Sequence, residues 1–172
     1  MNYICTIPSP IGLLTLSSDG ESITGLWIEG QKYFAATLEE HVKEQGLPVF
    51  KDARQWLDGY FSGAQPEFIL PLAPKGSAFR QQVWQALCAI PYGKVSSYGE
   101  IAAKLGRPAA SQAVGGAVAH NPISIFIPCH RVVGANGSLT GYAGGIDKKI
   151  WLLKLEKVAL QGLFMPTKGT AL

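Results

Sequence analysis

The chain of 172 residues is 47% hydrophobic and 16% charged, a composition typical of one globular domain or two small ones. No apolar run could span a bilayer, no basic segment precedes the first apolar residues as in a signal peptide, and three cysteines, an odd number, argue against a disulfide framework. Residues 1–75 carry five basic and nine acidic side chains, whereas residues 76–172 carry ten and three. We therefore expect a cytoplasmic protein whose second half binds a polyanion, with a merely soluble basic surface as the alternative.

The first half predicts a small α/β unit. Three short runs rich in Ile, Leu, Thr and Tyr, separated by turn signals, predict an antiparallel meander of strands at residues 3–7, 13–17 and 23–28. Residues 31–45 and 49–62 look helical, the second because its apolar side chains recur every three to four residues. Cys5 is predicted to pack inside the first strand, and His41 to be a solvated helix residue rather than a ligand.

A proline-rich stretch at 66–76 is the predicted linker. Ser77 can cap a helix that follows it and runs to about Ile90. In this helix Cys88 comes four residues after Trp84, so we expect the two side chains to share a buried face.

Two further short helices follow. Ser97–Glu100 reads Ser-Tyr-Gly-Glu, the pattern of a capping box, and opens a helix that ends at Gly106. Pro108 suits the first turn of the next helix, at residues 109–119. Two short helices joined by a tight, glycine-containing turn predict a helix-turn-helix.

The second helix of this pair is poor in bulky side chains. Because glycine costs roughly 1 kcal/mol relative to alanine in a helix, Gly115 and Gly116 require a reason, either close helix packing or close approach to DNA. Gln112 is the only long polar side chain, so the helix lacks the array that reads base edges in the major groove. This favours a protein that reads DNA shape or the minor groove over a sequence-specific repressor.

The candidate chemistry lies where three apolar, strand-like residues run into Pro128 and are followed by Cys129, His130 and Arg131. A strand that ends in this way places its polar side chains at a rim that a ligand can reach. An imidazole that accepts the thiol proton, with positive charge nearby, makes a reactive thiolate accessible. Cys129 is therefore a candidate nucleophile, and the alternative is a buried small hydrophobic residue.

The C-terminal part predicts a loop and a last helix. The glycine-rich segment 141–145 could form one wall of a pocket. Asp147 is the predicted helix cap, and Glu156 lies near the end of the helix. The side chains expected to pack inward are Ile150, Trp151, Leu153 and Val158.

The segment Pro-Cys-His-Arg-Val at 128–132 is one of several motifs that occur in a known order and spacing. The others are Tyr98, Ala113–Gly116, Asn121-Pro122, Gly141-Tyr142, Gly144-Gly145 and Trp151–Glu156. From about Phe79 to Glu156 the chain thus resembles the methylated-DNA–protein-cysteine methyltransferases, which remove alkyl groups from the 6-oxygen of guanine; before Phe79 the resemblance is weak. It implies an α/β (α+β) ribonuclease-H-like N-terminal domain at 1–74. A mostly helical, winged helix-turn-helix-like domain at 75–172 would carry DNA binding and the active site.

The resemblance also implies an irreversible, single transfer of the alkyl group to the protein, after the nucleotide is flipped out of double-stranded DNA. The expected protein is a monomer that binds the minor groove and needs no cofactor or metal. The implied catalytic residues are Cys129 as nucleophile, His130 as proton acceptor through a water, Glu156 behind the imidazole, and Tyr98 as proton donor to the base. The implied substrate-binding residues are Asn121, Val132, Tyr142, Ala143 and Gly144. The implied DNA-binding residues are Gln112, Ala113, Gly115, Gly116 and Arg131.

Some of these assignments have alternatives. Arg131 is read more readily as a structural cation that ties the motif to its surroundings. Without the resemblance, Glu156 would be read as a surface residue paired with Lys154 or Lys157. Asn121 is implied to tie the second helix of the pair to the strand of Cys129, and the Val132 and Cys129 carbonyls to accept from the guanine amine.

Two positions depart from the family pattern. Gln112 stands where the family usually has arginine, which predicts weaker DNA binding, and Ala143 stands where some relatives have serine.

Three other functions are alternatives. A cysteine hydrolase would use Cys129 and His130, but adjacent residues on a strand usually point to opposite faces. A DNA-binding regulator would not need the Pro-Cys-His-Arg motif, and non-catalytic relatives lack the cysteine.

Overall fold

The computed structural model describes residues 1–39 and 42–164, so His41 lies outside the described residues. The chain divides into two compact units. The first comprises Met1–Lys75 together with Pro122–Ser124, and the second comprises Gly76–Asn121 and the chain from Ile125 onward. Among the described residues, no helix has both the length and the apolar character that crossing a membrane requires.

The first unit is a four-stranded mixed sheet with one helix. Its elements are β1 (Asn2–Ile7), β2 (Leu14–Ser18), β3 (Ile23–Ile28), β4 (Val42–Glu44) and α1 (Pro48–Phe61). The strand order is β3-β2-β1-β4, with antiparallel β1–β2 and β2–β3 pairs and a parallel β1–β4 pair. The predicted meander and the second predicted helix are confirmed.

The helix predicted at 31–45 is wrong. The chain turns repeatedly after β3, with positive φ at Tyr33 and Ala35, and then adds β4 to the edge of β1. Gln31 holds the start of this turn, because its side-chain oxygen accepts from the backbone N–H of Ile28 at 2.7 Å. Tyr33 and Phe34 stay largely exposed, and although the Phe34 ring lies 6.3 Å from that of Trp27, the segment buries little apolar surface; burial of an apolar face is the main source of helix stability in proteins.

The outer edge of β3 is covered by irregular chain rather than by another strand. Ile23 exchanges backbone hydrogen bonds with Pro71 and Ala73 in the predicted linker, each at 2.8 Å. Leu26 likewise accepts from Ser124 at 3.1 Å and donates to the Pro122 carbonyl at 2.9 Å. Every residue of β3 is buried, which agrees with its mostly apolar sequence, and the hydroxyl of its one polar residue, Thr24, pairs with that of Ser17 at 2.8 Å.

The second unit is mostly helical. Its elements are α2 (Ala78–Cys88), β5 (Ser96–Ser97), α3 (Tyr98–Lys104), α4 (Ser111–Ala119), a 3-10 turn (Cys129–Arg131), β6 (Val132–Val133) and α5 (Ile146–Leu155). Ser77 caps α2 and Ser97 caps α3, each by accepting a backbone N–H three residues on, as predicted. The predicted helix pair is α3 and α4, but α4 begins at Ser111, so Pro108 lies in the turn before it and not in its first turn. Cys88, however, is exposed at the last residue of α2, so the prediction that it shares the buried face of Trp84 is wrong.

Most of the side chains predicted to pack inward from α5 and the chain after it do so: Leu153 and Val158 are buried and Ile150 packs against them, but Trp151 does not. Asp147 lies in its first turn without capping it, and the N-cap is Gly145. Trp151 is exposed, whereas Lys149 and Leu153 are buried. The buried face recurs at intervals of three and four residues and continues to Glu156, which is the C-cap. This face places the side chains of Lys149 and Glu156 in the interior of the second unit.

Candidate active site

Cys129 begins a 3-10 turn and does not end a strand as predicted. The preceding segment cannot extend as a strand, because Ile125 has a left-handed φ of 72° and Pro128 has no N–H to donate. The Ile127 carbonyl accepts from the Asn121 side chain at 2.9 Å and from the Cys129 N–H at 2.8 Å. The chain therefore curls at the cysteine, and Asn121 links the end of α4 to this curl.

This turn also changes the relation between Cys129 and His130. The expectation that they occupy opposite faces of a strand is wrong, because successive side chains of a 3-10 helix point about 120° apart. Cys129 is 4% exposed and His130 is fully buried. Both side chains thus lie inside the second unit, where electrostatic effects are strong.

The His130 ring is held by a carboxylate. Its Nε2 lies 2.5 Å from Oε2 of Glu156. Because a carboxylate can only accept, Nε2 carries the proton and Nδ1 is the basic nitrogen of the neutral ring. Burial lowers the pKa of His130, although the hydrogen bond to Glu156 opposes this. The imidazole is therefore neutral at pH 7 and able to accept a proton.

Glu156 is the centre of a buried network and is only 2% exposed, so its reading as a surface residue is wrong. Oε1 accepts from Arg131 Nε at 2.8 Å and from the Gly93 N–H at 3.1 Å, and Oε2 also accepts from Arg131 Nη2 at 3.2 Å. Burial raises the pKa of Glu156, but the hydrogen bonds from His130 and Arg131 and the guanidinium charge outweigh it, and the pKa falls to about 2. The carboxylate is therefore ionised beside His130.

Arg131 makes its hydrogen bonds to residues of the second unit. Besides binding Glu156, it donates from Nη1 to the Ile90 carbonyl at 2.8 Å, and its guanidinium lies 5.8 Å from the ring centroid of Tyr92. This arrangement is that of the structural cation that the sequence suggested. The DNA contact also assigned to Arg131 finds no support, because three of its donor atoms bind within the second unit.

Tyr98 is the first residue of α3, and its hydroxyl donates to the Thr140 carbonyl at 3.1 Å. The loop approaches closely at Gly141, where φ is 70° and an added Cβ would lie 2.8 Å from the Tyr98 oxygen. Burial raises the pKa of Tyr98, and the charge of Cys129 acts in the same direction. At neutral pH the phenol thus keeps its proton and is a hydrogen-bond donor near the cysteine.

Tyr142 continues the same loop and is 7% exposed. Its hydroxyl has no hydrogen-bond partner among the residues that the structure describes, and burial raises its pKa well above the usual value. Ala143 and Gly144, both half-buried, follow it and lead into α5. A buried hydroxyl without a partner is uncommon and marks a place where a ligand or a water would bind.

Sequence reasoning missed Lys149. It is 1% exposed, and its Nζ donates to the Val132 carbonyl and, at 2.7 Å, to the Thr140 carbonyl. Burial lowers its pKa to about 8, and the charge of Cys129 opposes this. The available signal was the spacing of Lys149, Leu152, Leu153 and Glu156, which places all four on one face of a helix.

The candidate DNA-binding face of α4 is smooth in the sense that, apart from Gln112, it is formed by alanine and glycine. Gln112, Ala113 and Gly116 are exposed, and Gly115 is half-buried. An added Cβ at Gly116 would meet no atom within 4 Å, and one at Gly115 would only make an ordinary contact with the Tyr98 ring at 3.9 Å. Close helix packing therefore does not require these glycines, so the first of the two reasons that the sequence offered for them does not apply.

A pocket of about 350 Å³ lies beside the helix pair. It is lined by Tyr98, Gly99, Ser111, Gln112, Gly115 and Ala135. Its volume is in the range of small-molecule sites. Tyr98 belongs both to this lining and to the surroundings of Cys129. Tyr98 is therefore the residue that the pocket and the surroundings of the thiol have in common; Cys129 itself does not line the pocket.

Fold and site together define a class of protein: an α/β domain followed by a helix-turn-helix domain that carries a buried cysteine beside a His–Glu pair. Comparison with known families agrees in both parts. Residues 2–74 match the 6-O-methylguanine DNA methyltransferase ribonuclease-like domain, and residues 78–158 match the DNA binding domain of the same proteins.

Individual relatives cover nearly the whole chain. The chain is 48% identical over 157 residues to the methylated-DNA–protein-cysteine methyltransferase of Haemophilus influenzae, which spans 91% of this chain and 87% of that protein. It is 49% identical over 157 residues to that of Mycobacterium bovis, with 91% and 93% covered. A crystal structure of Mycobacterium tuberculosis OGT in complex with DNA has a TM-score of 0.82 at 46% identity, covering 94% of this chain and 99% of that one. The chain belongs to the family of methylated-DNA–protein-cysteine methyltransferases.

Proposed function

We propose that the protein repairs DNA by transferring an alkyl group, such as methyl, from the 6-oxygen of guanine to the sulfur of Cys129. The sulfur attacks the alkyl carbon in line, the carbon–oxygen bond to guanine breaks, and a thioether remains on the protein. The observation that carries the proposal is a buried cysteine beside an imidazole held by an ionised glutamate. Because no later step breaks the thioether, each molecule reacts once, and the thiolate supplies the electron pair without a cofactor.

The proton path uses the polar groups around the sulfur. The thiol proton passes through a water to Nδ1 of His130, and Glu156 stabilises the resulting imidazolium through Nε2. Tyr98 donates a proton to guanine as it leaves, since an anionic base would be a poor leaving group. The raised pKa of Tyr98 makes it a weaker acid but keeps the phenol protonated at neutral pH, and the tyrosinate that donation leaves regains a proton from water.

The base would bind between the loop at 141–145 and the turn that carries Cys129. The Val132 carbonyl would accept from the guanine amine together with that of Cys129, and its bond from Lys149 leaves a second lone pair for this purpose. The partnerless Tyr142 hydroxyl offers a further polar contact. Ala143 and Gly144 supply no polar side chain, so the backbone would do much of the recognition there. Asn121 acts indirectly by holding the Ile127 carbonyl.

DNA would be bound through the smooth face of α4 in the minor groove, which shape-reading proteins use. The target atom is inaccessible in stacked DNA, so the nucleotide is flipped out at a cost of a few kcal/mol. A base entering by the pocket beside Gln112 would meet Tyr98 before it reaches the thiol. Three cysteines without a disulfide support a reducing compartment such as the cytoplasm.

The test is to mix the protein with duplex DNA that contains one 6-O-methylguanine and to measure the mass of both products. We expect one methyl group per protein molecule, located on Cys129 by peptide mapping, and unmodified guanine in the DNA. Continued repair of excess substrate would contradict the proposal and would favour a turnover enzyme such as a hydrolase. DNA binding without any mass change would favour a regulator.

Replacing Gln112 by arginine should strengthen DNA binding. Gln112 is exposed at the pocket, and arginine adds a positive charge and a longer planar side chain that can fill the gap left by a flipped nucleotide. We expect Gln112→Arg to bind DNA roughly five- to ten-fold more tightly, with the slope of log K against log salt steeper by about 0.9. Gln85→Arg adds the same charge at an exposed position of α2 and is the matched control. Equal affinity of the native protein and Gln112→Arg in a salt titration would refute the prediction.

A further inference from the structure

Lys149 is a buried cation without a carboxylate partner among the residues that the structure describes. Its ammonium donates to two neutral carbonyls, those of Val132 and Thr140. The nearby guanidinium of Arg131 differs, since Glu156 neutralises it. Burying an ammonium without an opposite charge is costly, so the position of Lys149 requires an explanation.

The two carbonyls belong to segments that border Cys129. Val132 follows the 3-10 turn directly and pairs with Ser96 of β5, which precedes α3. The Thr140 carbonyl also accepts from the Tyr98 hydroxyl at 3.1 Å. A single ammonium thus connects the turn that carries the nucleophile with the loop that holds the predicted proton donor.

The group that can balance this charge is the cysteine itself. The charge of Cys129 acts on Lys149, Tyr98 and Tyr142, and of these three only Lys149 is a cation. The two tyrosines are neutral hydrogen-bond donors. The charge of Lys149 helps to lower the pKa of His130, which is neutral at pH 7. Among the described residues, Lys149 is thus a positive charge near Cys129 that has no carboxylate partner.

We propose that Lys149 is a positioning residue whose buried ammonium is the counter-ion of the Cys129 thiolate. The inference rests on the proposed function, in which the thiolate is the attacking species. Lys149 stabilises that species before the base arrives and fixes the carbonyls of Val132 and Thr140 through its hydrogen bonds. His130 removes the thiol proton, and Lys149 holds the charge that the removal creates.

The decisive experiment needs no DNA, so it separates this inference from the repair reaction. The Cys129 thiolate is titrated by its absorbance at 240 nm, as the difference between each protein and the same protein with Cys129→Ser. The variant Lys149→Gln keeps an N–H donor for the carbonyls but removes the charge. We expect it to raise the pH midpoint of Cys129 by at least one unit, which lowers the thiolate fraction at pH 7 about ten-fold. Lys154→Gln, at an exposed position of the same helix, should leave the midpoint unchanged.

A reciprocal measurement covers the case in which Lys149→Gln does not fold. Linkage requires that the thiolate raise the pKa of Lys149 by as much as Lys149 lowers that of Cys129. NMR of the lysine side chains should therefore show that Lys149 titrates at a pH lower by at least one unit in Cys129→Ser than in the native protein. An unchanged Lys149 titration in Cys129→Ser, or an unchanged Cys129 midpoint in folded Lys149→Gln, would overturn the proposal.

The pH profile of methyl transfer supplies a functional readout. Since the pKa of Lys149 lies at about 8, the ammonium is lost as the pH rises above that value. The native rate should fall above pH 8, and Lys149→Gln should be at least ten-fold slower at pH 7 and lack this falling limb. A falling limb that persists in Lys149→Gln would show that another group causes it and would count against the proposal.

Discussion

Cys129→Ser is expected to abolish methyl transfer to the protein while leaving the fold and DNA binding intact. The substitution changes one atom of a 4% exposed side chain, so the 3-10 turn and its contacts should persist. The serine hydroxyl has no thiolate-like form at neutral pH, and removing a nucleophile costs on the order of 10⁶ in rate in a well-studied triad protease. Mass spectrometry after prolonged incubation with methylated duplex DNA should detect no added methyl group.

The matched controls are the other two cysteines. Cys88 is exposed as a whole residue, but partial desolvation of its sulfur by neighbouring atoms raises its pKa. Cys5 is half-buried, and burial raises its pKa to about 11. Neither thiol is activated, so Cys88→Ser and Cys5→Ser should accept one methyl group at the native rate. A methyl adduct on Cys129→Ser, or its loss in Cys88→Ser, would place the nucleophile elsewhere.

Glu156→Gln should weaken both the chemistry and the fold. A glutamine amide that donates to Nε2 of His130 would move the ring proton to Nδ1, so the nitrogen that should accept the thiol proton would no longer be basic. In a serine protease the corresponding tautomer error lowers kcat about 10⁴-fold, and we expect a loss of roughly 10² to 10⁴ here. Arg131 would also lose its counter-ion, which typically costs about 3–5 kcal/mol for a buried pair. Single-turnover rates and urea unfolding measure the two effects.

The pH dependence of stability gives an independent check. Because the folded pKa of Glu156 is about 2 and its ordinary value is 4.5, the stabilisation is fully present above about pH 4.5 and is lost as the pH falls toward 2. The shift corresponds to about 3 kcal/mol. The native protein should lose this stability on acidification, and Glu156→Gln should not. Glu39→Gln, which breaks an exposed pair with Lys75, should change little; equal effects of the two variants would refute the prediction.

Local signals were sufficient wherever an element depends on its own residues. The meander follows from apolar runs between turns, and α3 follows from the capping pattern at Ser97. Local signals failed where contacts with residues far away in the sequence decide the local structure. Residues 31–39 have helix-forming composition, yet β1 offers an edge that Val42–Glu44 completes. The apolar run before Pro128 reads as a strand, yet Asn121 takes the carbonyl that a strand partner would need.

The sequence by itself determines three features: the reactive pair Cys129-His130, the helix pair α3 and α4, and the small-residue face of α4. Each of them depends on residues that are adjacent in the chain or one helical turn apart. For Glu156, 26 residues after His130, the residues alone favoured the surface, the resemblance implied a contact with the His130 ring, and the tertiary structure shows that contact. Only the tertiary structure decided that Lys149 lies buried near Cys129 without a carboxylate partner among the described residues. Burial explains the difference. Whether a charged side chain lies in water or in the interior depends on which face of α5 packs inward, and the interior position is what moves the pKa values of Glu156 and Lys149.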